Sequence, residues 1–309
     1  MTGGQHLHDE GQHLHDEGPG LQGAGPDGMG PIPSGDGTAY AGAHPAPVDV
    51  PIPGEPAGSA RVPDAGREGK GVIHVVHLYP REMSIYGDLG NTRTIAARIR
   101  RHGYVPVVHQ HHPGAPFPEE AHLLLGGGGQ DSGQVRVEDD LERLGDRLRA
   151  MATDGVPMLM ICGMYQLFGN AFITVDGKRL PGLGILDVTT QGNAKRMIGP
   201  VVLDTDFGPV VGYENHSGST TLGEGQAAFG RVRSGMGNNG TDGTEGARSG
   251  NVIGSYLHGP ILPANPALAD ALIGLAAERA TGRPFEPVPQ DDAYADEART
   301  RQVRRLVRR

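Results

Sequence analysis

The sequence predicts an α/β fold, with an open, mostly parallel sheet and helices on both faces. Short apolar runs of strand length recur at residues 72–78, 104–108, 121–125 and 157–161. Helical periodicity separates the first run from the second and the third from the fourth. The last two runs lead directly into glycine-containing turns. Strands that alternate with helices in this way are typical of a doubly covered parallel sheet.

Composition divides the chain into three parts. Residues 1–70 are rich in Gly, Pro and Ala, and they repeat Gln-His-Leu-His-Asp-Glu at residues 5–10 and 12–17. Such a segment buries too little apolar surface to offset its ordering entropy, so it is predicted to be disordered. Its His and Asp side chains could bind a metal adventitiously, but a duplication without function is favoured. Residues 71–290 form the predicted folded domain, and residues 291–309 form a basic C-terminal tail.

Charge and composition narrow the functional classes. The net charge is −9 and no broad basic face is evident, which argues against a nucleic-acid partner. No apolar run reaches the ~18 residues of a membrane span, and residues 1–30 lack the apolar core of a signal peptide. A single cysteine is consistent with a cytoplasmic protein.

The stretch 157–169 is the most informative one. Its apolar run ends at Cys162, and Gly163 opens a helical pattern. A side chain at such a strand-to-helix elbow projects from the sheet edge, and the first N–H groups of the helix favour a thiolate there. The competing interpretation is a buried core cysteine, and the local sequence leaves the two evenly balanced.

Residues 126–129 are four glycines at the end of the third strand, followed by Gln130 and Asp131. Glycines let the backbone approach a ligand and direct N–H groups toward it. No Lys-Ser/Thr pair follows, so this is not a Walker phosphate loop. In a parallel sheet this loop and Cys162 would lie at the same edge, where ligands bind.

The second half of the chain is strand-rich, with tight turns. A strand over residues 251–257 leads into His258, and a helix is predicted from Asn265 to Gly282. Earlier in the chain, His109, His111 and His112 resemble a metal cluster. No Cys or carboxylate is spaced to complete that cluster, so a solvated loop is predicted there.

Taken together and in order, several stretches between residues 72 and 290 resemble the class I (triad-type) glutamine amidotransferases, in the branch related to cobyric acid synthase. That resemblance implies a flavodoxin-like fold. The stretches are residues 86–91 (Tyr-Gly-Asp-Leu-Gly-Asn), 127–131 (Gly-Gly-Gly-Gln-Asp), 161–166 (Ile-Cys-Gly-Met-Tyr-Gln), 182–186, 213–218 (Tyr-Glu-Asn-His-Ser-Gly), 237–240 and 256–260 (Tyr-Leu-His-Gly-Pro).

The resemblance implies hydrolysis of L-glutamine through a glutamyl thioester on Cys162. His258 would act as general base and acid; the alternative is a structural histidine. The N–H of Gly163 and that of Gly128 or Gly129 would stabilise the oxyanion.

A cation is needed for the α-carboxylate of glutamine. The resemblance assigns this role to Arg196, whose planar fork suits a carboxylate; the alternative is a surface arginine beside Lys195. Gln130 is expected to line the same pocket. No cofactor or metal is expected in this chain.

Two positions depart from the family pattern. Pro260 stands where class I enzymes carry the glutamate that orients the histidine, and Met164 replaces a glycine after the elbow. The resemblance implies that an aspartate of a partner subunit orients His258, with Glu214 as the candidate inside this chain. Met164 is expected to tighten packing behind the elbow.

The implied partner is a MurT-like ligase in a heterodimer, which uses ATP and Mg to amidate the D-glutamate α-carboxyl of lipid II in peptidoglycan synthesis. Two alternatives stay open: an amidotransferase subunit for a cobyrinic acid-like acceptor, and a non-catalytic scaffold subunit.

Overall fold

The structure is a computed structural model that describes residues 69–307. Apart from residues 69 and 70, the predicted N-terminal extension lies outside the described residues. The elements of the first half, in chain order, are β1 (Val72–Leu78), α1 (Leu89–Arg101), β2 (Val105–His111), β3 (Leu123–Gly126), α2 (Asp131–Thr153), β4 (Met158–Ile161) and α3 (Gly163–Phe168).

The second half contains most of the strands. Its elements are β5 (Ala171–Ile173), β6 (Arg179–Pro181), β7 (Val188–Thr205), β8 (Gly208–Leu222), β9 (Gly230–Ser234), β10 (Thr244–Glu245), β11 (Ala247–Ser249), β12 (Val252–Ser255), β13 (Leu257–His258), α4 (Ile261–Ala264), α5 (Pro266–Thr281) and α6 (Ala293–Val307).

The first sheet has six strands in the order β11-β12-β4-β3-β1-β2. All neighbours are parallel except the β11–β12 pair, which confirms the predicted α/β architecture. Strand β1 pairs with β2 on one side and with β3 on the other, so the strand order reverses at β1. The loops after β1 and β3 therefore flank the crevice in which such sheets bind ligands.

The second sheet has seven strands and is mostly antiparallel, and local sequence patterns do not predict it. Its centre is the long hairpin of β7 and β8, paired along most of its length. The hairpin's register shifts between Gly192 and Met197, which is where Arg196 lies.

The two sheets share one stretch of chain. Strand β12 pairs with β4 in the first sheet, and β13 pairs with β8 in the second. Only the buried Tyr256 separates β12 from β13. This change of sheet carries His258 toward the end of β4, where Cys162 begins the elbow.

One expectation about local structure is wrong. His109 and His111 lie in β2, not in a solvated loop, and His111 is buried with Nε2 2.8 Å from Asp140 Oδ2. Most of the predicted basic tail is helix α6. None of the described helices combines the length and the apolar composition that a membrane crossing requires.

The close packing around Gly254 in β12 provides a test of this fold. A Cβ at this position would lie 2.1 Å from Cδ2 of the buried Tyr165. We expect Gly254→Ala to lower the free energy of unfolding by about 1–3 kcal/mol through overpacking. Urea denaturation measures this change.

The matched control is Gly199→Ala in β7, where an added Cβ meets nothing within 4 Å. We expect its effect to stay within about 0.5 kcal/mol. Equal effects of the two substitutions would contradict the packing between β12 and α3.

Candidate active site

Cys162 sits on a strained elbow between β4 and α3. Its backbone has φ 53° and ψ −106°, outside the regions that non-glycine residues normally adopt. The Cys162 N–H donates to the Ser255 carbonyl at 2.8 Å, so β12 holds the elbow. Strain that is held in place by its surroundings is typical of a nucleophile elbow.

His258 approaches Cys162 across the glycine loop. A Cβ on Gly128 would lie 2.6 Å from His258 Cε1 and 3.2 Å from Cys162 Cβ. Only a glycine at this position leaves room for both side chains. The structure therefore brings together the predicted nucleophile, the predicted base and the predicted loop.

The third group beside His258 is Asp88, in the turn before α1. Asp88 Oδ1 lies 3.1 Å from Nδ1 of His258, and both side chains are almost fully buried. An acid of this chain is therefore in hydrogen-bond contact with His258, whereas the resemblance implied an aspartate of a partner subunit for this position.

Glu214, the alternative candidate inside this chain, is engaged elsewhere. Its carboxylate accepts the N–H groups of Met236 (2.7 Å) and Gly237 (2.9 Å). It also lies 3.7 Å from Nε2 of His216. It is thus part of the second sheet's polar interior.

These contacts shift the titration of His258. Burial alone would lower its pKa, but the interactions with Asp88 and with the Cys162 thiol outweigh burial and raise the pKa to about 10. Nε2 of His258 is buried and has no hydrogen-bond partner among residues 69–307. The raised pKa favours the imidazolium form of His258.

The glycine loop does not offer all of the predicted oxyanion donors. The Gly128 N–H donates to Asp88 Oδ2 at 2.6 Å and is therefore occupied. The Gly129 nitrogen lies 3.1 Å from the position of a Cβ built on Gly163, so these two backbone segments are adjacent. Gly129 and Gly163 thus remain as candidate donors.

A cavity of about 330 Å³ opens beside Cys162, a size typical of small-molecule sites. Both predicted binding residues, Arg196 and Gln130, line it. Nε and Nη2 of Arg196 donate to Asn215 Oδ1 at 3.0 and 2.8 Å. The β7–β8 hairpin therefore orients the guanidinium at the cavity wall.

The inner wall is polar and hydrogen-bonded. Gln134 Nε2 donates to Gln166 Oε1 at 2.7 Å, and Gln166 Nε2 donates to the Tyr256 hydroxyl at 3.2 Å. Oε1 of the buried Gln134, which lines the cavity, has no partner in the described part of the chain. The cavity can therefore supply an acceptor to a polar ligand. The His216 ring stacks on Tyr256 with centroids 3.6 Å apart.

Met164 has the packing role expected of it. A Cβ on Gly126 would lie 2.9 Å from Met164 Cγ, and Met164 is fully buried. The larger side chain fills the space between the elbow helix and the end of β3.

Glu245, in β10, supports the point at which the chain changes sheets. Its carboxylate accepts the Tyr256 N–H at 2.6 Å and the Ser255 hydroxyl at 3.1 Å. Burial raises the pKa of Glu245 to about 8, because these hydrogen bonds only partly offset desolvation. The Ser255 carbonyl accepts the Cys162 N–H. Glu245 therefore stabilises the backbone segment that holds the nucleophile.

Among the described residues, no group of three or more His, Cys, Asp or Glu side chains could hold a metal ion. The groups that meet at this site are the Cys162 thiol, the His258 imidazole, the Asp88 carboxylate and the backbone N–H groups of the glycine loop.

Comparison with known proteins assigns the class. Residues 74–266 match the CobB/CobQ-like glutamine amidotransferase domain, and the chain belongs to this family. Among its relatives is subunit GatD of the glutamine-hydrolysing lipid II isoglutaminyl synthase of Staphylococcus aureus, 38% identical over 71% of this chain and 90% of that one. The GatD subunit of Streptococcus pneumoniae is 35% identical over 73% and 88%. Cobyric acid synthase of Sphingopyxis alaskensis is 33% identical over 55% of this chain and 35% of its own.

Sequence reasoning missed Asp88, Gln134 and Glu245. Asp88 lies inside the stretch 86–91 that carries the family resemblance, and that resemblance was the available signal. The contacts of Gln134 and Glu245 depend on pairings between distant segments, which local patterns do not reveal.

Glu245 provides a test through pH. Its pKa is raised from 4.5 to about 8, so the folded state binds the extra proton and wild-type stability falls as pH rises across that window. We expect Glu245→Gln to remove this part of the pH dependence. The wild type should lose stability relative to the variant by on the order of 1 kcal/mol per pH unit.

Denaturant unfolding at pH 5, 6.5 and 8 measures the difference between the two proteins. Glu224→Gln, at an exposed position, is the matched control and should run parallel to the wild type. A constant difference between wild type and Glu245→Gln would contradict the raised pKa.

Proposed function

We propose that this chain is the glutaminase subunit of a lipid II isoglutaminyl synthase. The observation that carries the proposal is the meeting of Cys162, on its elbow, with His258 beside a cavity of about 330 Å³. The family and the two GatD relatives support the substrate and the setting. The single cysteine suggests a cytoplasmic location.

The reaction begins with the Cys162 thiolate. It attacks the side-chain carbonyl carbon of L-glutamine, forming a C–S bond and placing the carbonyl electron pair on oxygen. The His258 imidazolium protonates the leaving nitrogen as the C–N bond breaks, and ammonia departs. His258 then takes a proton from water, whose oxygen displaces the thiolate from the thioester and releases glutamate.

The N–H groups of Gly129 and Gly163 are the proposed donors to the developing oxyanion. Gly128 contributes by its lack of a side chain, because a Cβ there would displace His258 or Cys162. A single donor of this kind is worth about 3 kcal/mol of transition-state stabilisation.

Arg196 is the proposed partner of the substrate α-carboxylate. Asn215 holds Nε and Nη2, and Nη1 is the proposed donor to the carboxylate. Gln134 Oε1 and Gln130, at the same cavity, could accept hydrogen bonds from the substrate's α-ammonium group.

The released ammonia would pass to a MurT-like ligase partner, which would use ATP and Mg to amidate the D-glutamate α-carboxyl of lipid II. A cobyrinic acid-like acceptor is the alternative that the cobyric acid synthase relative supports. Purification of the tagged chain with its bound ligase, followed by assay of both acceptors, distinguishes them.

Cys162→Ser and His258→Ala should each abolish measurable glutamate release, because nucleophile and proton carrier act as a unit. The assay is glutamate production from L-glutamine with the ligase partner present, and circular dichroism reports the fold. His109→Ala, in β2, is the control and should keep full activity. Glutamine hydrolysis retained by either variant would overturn the catalytic assignment and favour the scaffold alternative.

Arg196→Ala should raise KM for glutamine about 10- to 100-fold, because a charge-assisted hydrogen bond to a carboxylate contributes about 1.5–3 kcal/mol. Ammonium salt supplied to the complex should restore amidation of the acceptor. Arg231→Ala, an exposed arginine of β9, is the control. If ammonia fails to restore amidation, Arg196 acts elsewhere, such as at the subunit interface.

A further inference from the structure

Asp88 occupies a helix N-cap position without capping the helix. It precedes α1, yet its side chain makes no cap hydrogen bond. The Ser84 hydroxyl accepts the Leu89 N–H at 3.0 Å instead. Aspartate is a favoured capping residue, so a buried Asp88 that leaves this task to Ser84 is committed to other partners.

Those partners are the imidazole of His258 and the backbone of the glycine loop. Oδ1 receives the Nδ1–H of His258 at 3.1 Å, and Oδ2 receives the Gly128 N–H at 2.6 Å. We propose that Asp88 is a positioning residue that orients His258 and anchors the glycine loop with one carboxylate, so that the orienting acid belongs to this chain. This inference rests on the proposed glutaminase function.

The bond to Nδ1 selects the tautomer of His258. With the proton held on Nδ1 by a carboxylate, Nε2 of the neutral ring carries the lone pair. Nε2 has no other described partner, so it is free to take the thiol proton of Cys162. The carboxylate then stabilises the imidazolium that forms.

The bond to Gly128 positions the oxyanion donors relative to that imidazole. Gly129 is the next residue, so its N–H is placed by the same anchor. The approach is close: a Cβ on Gly127 would lie 2.9 Å from Asp88 Cβ and 2.3 Å from the Met83 carbonyl oxygen. The loop's glycines therefore let the backbone reach Asp88.

Asparagine cannot reproduce both contacts. If its Oδ1 faces His258, its amide nitrogen opposes the Gly128 N–H, donor against donor. If the amide is flipped, it donates to Nδ1 and forces the proton onto Nε2, which then cannot accept from the thiol. Asp88→Asn therefore loses either the loop anchor or the correct tautomer, with almost no change in volume.

The neighbouring titratable groups are His77 on β1, Tyr86 in the turn before α1 and Glu245 on β10. Burial lowers the pKa of His77 to about 4, so this ring stays neutral beside Asp88 at neutral pH. The Tyr86 ring packs edge-on against His258 at 4.9 Å. None of these groups carries a positive charge that would compete with His258 for the carboxylate.

Cys162 is the chain's only cysteine, so its alkylation by iodoacetamide reports this site without background. In Asp88→Asn we expect the pH midpoint of alkylation to rise by at least one unit, because a less stabilised imidazolium holds the thiolate less well. In the glutaminase assay, kcat should fall roughly 10²- to 10⁴-fold with KM changed less than threefold.

Asp140→Asn is the matched control. The buried Asp140 also accepts from a glycine N–H, that of Gly114 at 2.9 Å, and lies 2.8 Å from Nε2 of a histidine, His111. Asp140→Asn should lower the free energy of unfolding without moving the pH midpoint of Cys162 alkylation. Both assays use the full chain, with and without the ligase partner.

The outcomes separate the two proposals. An unchanged alkylation midpoint, or an unchanged kcat with an active wild type, in Asp88→Asn would overturn the role of Asp88. If the wild type hydrolyses no glutamine in any arm while the midpoint still shifts, the proposed function fails and the positioning role stands. If an aspartate of the ligase proves necessary for the wild-type alkylation midpoint, the orienter is the partner's and the inference is wrong.

Discussion

The site depends on one constraint, the passage of the chain from the first sheet to the second at Tyr256. The Ser255 carbonyl still belongs to the first sheet and holds the N–H of Cys162. Two residues after Tyr256, His258 pairs with Tyr213 in the second sheet. The positions of nucleophile and base are therefore both set by the four residues from Ser255 to His258, and Glu245 accepts hydrogen bonds from the Tyr256 N–H and the Ser255 hydroxyl at the change of sheet.

The Asp88 carboxylate links this stretch to the other side of the crevice. It follows β1, while the glycine loop follows β3, and the reversal of strand order at β1 makes these loops neighbours. A single buried side chain can then contact both an imidazole and a backbone N–H. The fold thus supplies an acid that the residues after His258 do not, because Pro260 stands where the family's glutamate is expected.

The sequence predicted the parts of the site that local patterns encode. Cys162 follows a buried run and precedes a glycine, and His258 ends a strand, so each could be recognised from its neighbours. The Asp88–His258 contact joins residues 170 positions apart, and no local period reports such a pair. The second sheet escaped prediction for the same reason, because strand partners depend on register between distant segments.

The central claim is that Cys162 forms an acyl intermediate with glutamine. Acid quenching of the chain and its ligase partner during turnover of L-glutamine, followed by intact-mass and peptide mass spectrometry, tests it most directly. The account predicts an added mass of one glutamyl group on the peptide that contains Cys162, lost on treatment with hydroxylamine. Turnover of glutamine with no adduct on that peptide, together with undiminished turnover in Cys162→Ser, would contradict it.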